Sequence, residues 1–70
     1  MTGRTEYEND AIDRLARRAL RHLLARGTCY PSDLDHDGAD PNEIAEFYQA
    51  AMAEAWHRLP AARETERQSA

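Results

Sequence analysis

Three aspartates at alternate positions, followed at once by a glycine, are the residues of this chain best suited to chemistry. Asp33, Asp35, Asp37 and Gly38 lie in the stretch D-L-D-H-D-G. Alternating carboxylates, with a glycine that permits a sharp turn, can surround a hard cation such as calcium with oxygen ligands. Glu43 is the nearest glutamate downstream that could complete such a ligand set.

Residues 33–44 resemble the calcium-binding loop of the EF-hand family, and their first half is similar to the extracellular actinobacterial calcium loops called Excalibur. The resemblance implies a calcium site built from Asp33, Asp35 and Asp37, with a glutamate at the twelfth position. Ile44 occupies that position, and Glu43 falls one residue early. Because one residue on a helix turns the side chain by about 100°, Glu43 would need a different backbone path to close the site.

The remaining reactive side chains have no spacing typical of a metal or catalytic site. His22, His36 and His57 form no i, i+4 pair, and Cys29 has no Cys-x-x-Cys partner. There is also no glycine-rich phosphate loop, and a chain of 70 residues leaves little room for a water-excluding pocket. We therefore expect no enzymatic activity and no cofactor.

Charge is distributed unevenly along the chain, whose net charge is −4. Residues 27–57 contain acidic side chains and no arginine. This acidic block favours a basic partner, a cation or neutralisation by the chain's own arginines, and it disfavours nucleic acid on that face. The predicted partner-binding residues are acids of the loop and of the start of the second long helix: Asp35, Asp37, Asp40, Glu43 and Glu46.

The first helix is predicted over residues 6–26. Thr5 and Glu8 can form a capping box at its start, and Gly27 is a natural residue to end it. The predicted buried face follows the i, i+3, i+4 repeat through Ile12, Leu15, Ala16, Ala19, Leu20, Leu23 and Leu24.

A stripe of arginines on the opposite face of this helix suggests an alternative function. Arg14, Arg17, Arg18 and Arg21 could contact phosphates, as in a DNA-binding protein of helix-turn-helix type. The second helix, however, begins with acidic residues, which gives a recognition helix the wrong charge for a DNA groove.

The second long helix is predicted over residues 41–59. Asp40 is its expected N-cap, Pro41 its first residue and Glu43 the other half of a capping box. Pro60 is expected to end it, because the residue before a proline is biased away from helical geometry. The predicted buried face consists of Ile44, Phe47, Tyr48, Ala51, Met52, Ala55, Trp56 and Leu59.

The segment between the two helices is predicted to contain one short helical turn near residues 31–34. Tyr30 and Leu34 are expected to fold back as a lid over one end of the helix pair. The expected architecture is therefore an all-α helical hairpin, with a frayed N-terminus (residues 1–5), one helical domain (residues 6–59) and a disordered polar tail (residues 60–70).

The apolar face of each long helix covers about half of its circumference, which is wider than the seam that two helices share. The sequence leaves open what covers the remainder. It can be a second copy of the chain, which gives a four-helix homodimer, or the Tyr30–Leu34 segment and the terminal arms, which leave a monomer. No stretch of the sequence has the length and hydropathy of a membrane span or a signal peptide, which favours a cytoplasmic location.

All nine basic residues are arginine, a composition typical of a GC-rich genome. It is associated with small accessory proteins of high-GC bacteria, their phages or their plasmids. The sequence thus favours a regulatory interaction module whose acidic residues occupy a basic surface of a partner protein. DNA binding and calcium binding are the two alternatives.

Overall fold

The computed structural model of the protein describes residues 5–69, apart from the side chain of Ser69. These residues form three helices and no strand: α1 (Glu6–Arg26), α2 (Pro31–His36) and α3 (Pro41–Ser69). The prediction of an all-α hairpin, with two long helices and a short helical turn between them, is confirmed. Of the predicted frayed segment, residues 1–4 lie outside the described residues and Thr5 is the N-cap of α1.

Both ends of α1 follow from local side-chain and backbone chemistry. The Thr5 hydroxyl accepts a hydrogen bond from the Glu8 N–H at 3.1 Å, and the Thr5 N–H donates to the Glu8 carboxylate at 2.9 Å. Gly27 has a left-handed backbone with φ of 79°, and its N–H donates to the Leu23 carbonyl. The residue types at these positions were therefore sufficient to predict α1.

The start of α3 and its N-cap residue Asp40 are as predicted, but the expected capping box with Glu43 is not formed. An Asp40 carboxylate oxygen accepts a hydrogen bond from the Asn42 N–H at 2.8 Å. Glu43, expected to form the other half of the capping box, contacts α1 instead. The cap therefore uses Asp40 alone, and the charge of Glu43 serves a tertiary contact.

The prediction that this helix ends at Leu59 is wrong, since α3 continues through Pro60 to Ser69. A proline inside a helix removes one backbone hydrogen bond and disfavours the preceding turn, at a cost of about 3 kcal/mol. Residues 61–67 consist mainly of alanine, arginine and glutamate, which are strong helix formers that offset this cost. Apart from half-buried Ala62, residues 60–68 are exposed, so this part of α3 adds little to the core.

The core lies where the apolar faces of the three helices meet. Leu34 of α2 is 0% exposed, and Cys29 just before α2 is also buried. The predicted lid is therefore correct for Leu34 but wrong for Tyr30, which is 61% exposed. The long helices contribute the other buried side chains: Ala11, Ile12, Leu15, Ala16, Ala19, Leu23, Ile44, Phe47, Ala51, Ala55 and Leu59. The prediction that Trp56 is buried is wrong, since its side chain is 50% exposed.

The two long helices cross obliquely instead of running strictly side by side. Asp13 and Arg14 are adjacent in α1, with side chains about 100° apart on the helix, yet Arg14 pairs with Glu43 in the first turn of α3 and Asp13 pairs with Arg58 beyond the middle of α3. The molecule measures 40 × 30 × 14 Å between Cα positions. Its thickness is that of two helix layers with axes roughly 9 Å apart.

Candidate functional site

One row of side chains along α1 faces acidic residues that lie between Asp33 and Glu43. The row has a spacing of four residues, so its members lie above one another on the helix surface. It consists of Arg14, Arg18, His22 and Arg26. Each of these side chains bonds to the segment between α1 and α3 or to the start of α3.

Glu43 ties the start of α3 to the first half of this row. Its carboxylate accepts a hydrogen bond from Arg14 at 3.1 Å and another from the Tyr7 hydroxyl at 3.0 Å. The pKa of Tyr7 is raised, chiefly because the neutral hydroxyl donates to this carboxylate. Glu43 is thus occupied by two groups of its own chain.

Asp37 occupies the middle of the row. Its carboxylate lies 2.7 Å from Nε2 of His22, and its backbone carbonyl accepts a hydrogen bond from Arg18 at 3.0 Å. The hydrogen bond from His22 is the main reason that the pKa of Asp37 lies below its ordinary value. Asp37 is therefore used to hold the turn after α2 against α1.

Asp33 anchors the first turn of α2 to the end of α1. One carboxylate oxygen accepts from the Tyr30 N–H at 2.8 Å, and the other lies 2.8 Å from an Arg26 nitrogen. The backbone hydrogen bond from Tyr30, followed by the one from Arg26, lowers the pKa of Asp33. The Asp33 carboxylate therefore stabilises both the first turn of α2 and the contact of α2 with Arg26 of α1.

The arginines predicted to contact phosphates are mostly engaged within the chain. Arg14 and Arg18 bond to the acidic segment, and Arg17 pairs with Asp13 at 3.0 Å. Arg21 is exposed and close enough to Asp37 to lower the pKa of that carboxyl. The four side chains therefore do not form a free cationic surface.

The residues predicted to bind calcium are likewise directed to different partners. The described part of the chain contains no group of three or more histidine, cysteine, aspartate or glutamate side chains placed to hold one ion. Asp33 and Asp37 bond to α1, and Glu43 contacts Tyr7 and Arg14. The EF-hand-like residues thus form a short helix and a turn, with Gly38 supplying a positive φ of 94°.

Two of the five predicted partner-binding acids remain available. Asp40 caps α3, while Asp37 and Glu43 bond to α1. The carboxylates of Asp35 and Glu46 are exposed and make no hydrogen bond or ion pair with other described residues. They are the acids of this set whose charge is not used by the fold.

Asp35 and Glu46 both border a groove between α2 and α3. The groove consists of two adjoining hollows of ≈ 470 and ≈ 380 Å³ that share Pro31, Ile44 and Ala45. Asp35 lies at the edge of one hollow and Glu46 at the edge of the other. The remaining lining residues are Ser32, Pro41, Tyr48 and Gln49.

The groove combines an apolar floor with acidic edges. Proline, isoleucine and alanine side chains provide the floor, and no arginine lines either hollow. Sequence reasoning identified both carboxylates but missed the floor, because Pro31 and Ala45 become neighbours only when α2 packs on α3. The exposed small residue Ala45, between Ile44 and Glu46, is the one local signal that a partner could approach there.

Tyr48 links the groove to the core. Its hydroxyl donates a hydrogen bond of 2.6 Å to the Cys29 carbonyl, which fixes the chain at the entrance to α2. Burial raises the pKa of the Cys29 thiol to about 11, so the thiol stays protonated at neutral pH and is a poor nucleophile. Cys29 therefore contributes to packing, and Tyr48 sets the position of α2 beside the groove.

Comparison of the chain with protein-family models, curated proteins and solved structures finds no match. Within residues 5–69, no helix has the length and apolar character needed to cross a membrane.

Proposed function

We propose that this chain is a small non-enzymatic interaction module that binds a basic segment of a partner protein in the groove between α2 and α3. The observation that carries the proposal is the position of the two unused carboxylates. Asp35 and Glu46 border a concave apolar surface, whereas the other predicted partner-binding acids are engaged within the chain.

The chemistry of the groove defines the kind of segment that fits it. An aliphatic side chain can rest on Ile44 and Ala45, where its burial stabilises the complex. Arginine or lysine side chains beside it can reach Asp35 and Glu46, which remain at the solvent-exposed edge. Edge charges of this kind mainly set the association rate and the choice of partner, and salt screens them.

The two alternative functions have less support. Direct DNA binding would require Arg14, Arg17 and Arg18 to leave their contacts with acidic residues and a backbone carbonyl of the same chain. Calcium binding would require Asp33 and Asp37 to leave Arg26 and His22. Each would first have to break contacts within the fold, whereas groove binding breaks none.

A designed helical peptide with one leucine and two flanking arginines tests the proposal. We expect the amide signals that shift in a ¹H–¹⁵N spectrum to be those of groove residues such as Ser32, Ile44 and Ala45. Asp35→Asn or Glu46→Gln should each weaken binding about threefold, the order expected for one exposed charge at an interface edge. Added salt should weaken binding to the wild-type chain.

Asp10→Asn is the matched control, because it removes the same charge from an exposed position on α1. It should leave the affinity unchanged. Equal weakening by Asp10→Asn and Asp35→Asn would show that only the net charge of the chain matters. That result, or peptide shifts located away from the groove, would contradict the proposal.

A further inference from the structure

We propose that the segment bound in the groove between α2 and α3 is an amphipathic helix, with basic side chains on both flanks of one apolar stripe. Because it names the conformation of the partner in the same groove, this inference rests on the proposed function. It is carried by the lack of main-chain partners in the groove walls and by the positions of two carboxylates on opposite walls.

The groove walls offer few main-chain hydrogen-bonding groups to a bound segment. The residues that line both hollows belong to α2 or α3, so their amide and carbonyl groups are largely used within those helices. The first turn of a helix normally leaves amides free, but Pro31 and Pro41 begin these two helices and have no N–H. The Asn42 amide is taken by the Asp40 carboxylate. A bound segment therefore cannot pair with the walls as a strand pairs with the edge of a sheet.

The apolar floor of the groove makes this lack of partners unfavourable for an extended segment. Pro31, Ile44 and Ala45 are shared by both hollows. Amide groups of an extended segment placed against these side chains would lose water without gaining a hydrogen-bond partner. A helix bonds its amides to its own carbonyls and presents side chains alone to such a floor. The groove therefore favours a helical occupant.

The α3 wall has the spacing and the short side chain that a packed helix needs. Pro41, Ala45 and Gln49 follow one another at intervals of four residues, so they lie along one side of α3. This row extends roughly 12 Å along the axis of α3, which matches about two turns of a bound helix. Ala45 at its centre is exposed and short, so the axis of a bound helix can come close.

The two unused carboxylates lie on different walls of the groove. Asp35 belongs to α2 and lines the hollow that contains Pro41, whereas Glu46 belongs to α3 and lines the hollow that contains Gln49. The carboxylates are therefore on opposite sides of the groove and are offset along it. A bound helix between them needs one basic side chain on each flank to reach both.

This arrangement predicts a spacing for the basic residues of the partner. On a helix, the residues three before and three after a leucine point about 60° to either side of it and lie roughly 9 Å apart along the axis. Arginines at these positions, in the pattern R-x-x-L-x-x-R, can each reach one carboxylate while the leucine rests on the floor. The partner is thus expected to carry this pattern on an exposed helix.

Two arginine isomers of one alanine-based helical peptide test the spacing. In the first peptide the arginines lie three residues before and three after the single leucine, and in the second they lie three before and one after. The second arrangement puts both arginines on the same flank without changing composition or charge. We expect the second peptide to bind the full chain about threefold more weakly, because it reaches only one carboxylate.

A third peptide tests the helical conformation itself. It carries proline immediately after the leucine of the first peptide, which breaks a helix and leaves the charge unchanged. Its affinity should be lower than that of the first peptide by about tenfold or more. In the complex of the first peptide, the ¹³Cα shift of a labelled leucine should have a helical value.

Ala45→Gln tests the contact from the side of the groove. The longer, uncharged side chain should hold a bound helix away from the floor and weaken binding of the first peptide about tenfold. Ala61→Gln is the matched control, because it makes the same change at an exposed position of α3 outside the groove. It should leave the affinity unchanged, and circular dichroism checks that both variants keep their helices.

The outcomes separate this inference from the proposed function. Equal affinities of the three peptides for the groove, or an extended ¹³Cα shift of the bound leucine, would overturn the helical partner and leave the proposed function intact. So would equal effects of Ala45→Gln and Ala61→Gln. Failure of every peptide to bind in the groove would contradict the proposed function, and the inference with it.

Discussion

At the scale of single residues, His22 shows how one side chain can join a helix to a turn distant in sequence. Its Nδ1 lies 3.3 Å from an Arg26 nitrogen, which can only donate, so Nδ1 must accept that hydrogen bond. The ring proton is then on Nε2 and is donated to the Asp37 carboxylate at 2.7 Å. His22 therefore connects Arg26 to Asp37 and helps to hold the turn after α2.

Asp37→Asn should make the folded state less stable at neutral pH and should reduce its sensitivity to acid. The pKa of Asp37 is lowered in the folded chain, mainly by the hydrogen bond from His22. Its stabilising effect is complete above the ordinary aspartate pKa of 3.8, and it is lost as the pH falls through the lower folded value. Thermal unfolding between pH 7 and pH 2 measures both effects.

Asp35→Asn is the matched control for this prediction, since Asp35 is an exposed aspartate two residues away and its carboxylate makes no bond within the described chain. At neutral pH, Asp35→Asn should lower the unfolding temperature less than Asp37→Asn does. If the two variants give superimposable pH profiles, the contact between His22 and Asp37 does not stabilise the fold.

These pairings mark the limit of prediction from sequence at the residue scale. The acidic block and the arginine stripe were both evident, and neutralisation by the chain's own arginines was one of three outcomes considered. Which acids would be neutralised depends on tertiary contacts such as Asp37 with His22, fifteen residues apart in sequence. Asp35 and Glu46 could be identified as the available carboxylates only once α2 and α3 were in place.

At the scale of helices and turns, prediction succeeded where local chemistry decides the outcome. The capping box of Thr5 and Glu8 and the left-handed Gly27 define α1. Pro41 at a first helical position fits the start of α3 for similarly local reasons. The end of α3 was predicted wrongly because two local effects oppose each other. Pro60 biases Leu59 away from helical geometry, whereas the residues after Pro60 favour a helix.

Pro60→Ala should increase the helicity of residues 61–69. Alanine at this position restores an amide donor and is favoured over proline inside a helix by about 3 kcal/mol. Because these residues lie largely outside the core, the gain should appear as local order more than as global stability. Cα chemical shifts and amide exchange along α3 measure it, and they also test the predicted disorder of residues 60–70.

Pro41→Ala is the control, because the amide of a first helical residue has no acceptor within its own helix. It should leave the order of residues 61–69 unchanged. Identical shifts for these residues in the wild type and in Pro60→Ala would mean that the proline imposes no cost on α3.

At the scale of the whole molecule, α2 completes a core that two crossed helices cannot enclose alone. Each long helix has an apolar face wider than the seam it shares, as the sequence indicated. The six residues of α2 fill part of that gap with Leu34. The ion pair between Asp33 and Arg26 and the hydrogen bond between Asp37 and His22 hold α2 against α1. A segment that looks like a polar loop in sequence is thus part of the packed structure.

The stability of the whole chain should therefore depend strongly on one side chain of its shortest helix. Leu34 is 0% exposed, and truncation of a fully buried leucine to alanine costs about 2–5 kcal/mol. A domain of this size has a total stability of only roughly 3–10 kcal/mol, so Leu34→Ala should bring the chain close to unfolding.

Leu24→Ala removes the same atoms from a half-buried position on α1 and should cost less. Urea denaturation compares the two free energies of unfolding. If Leu34→Ala loses no more stability than Leu24→Ala, α2 lies over a core that is already complete without it.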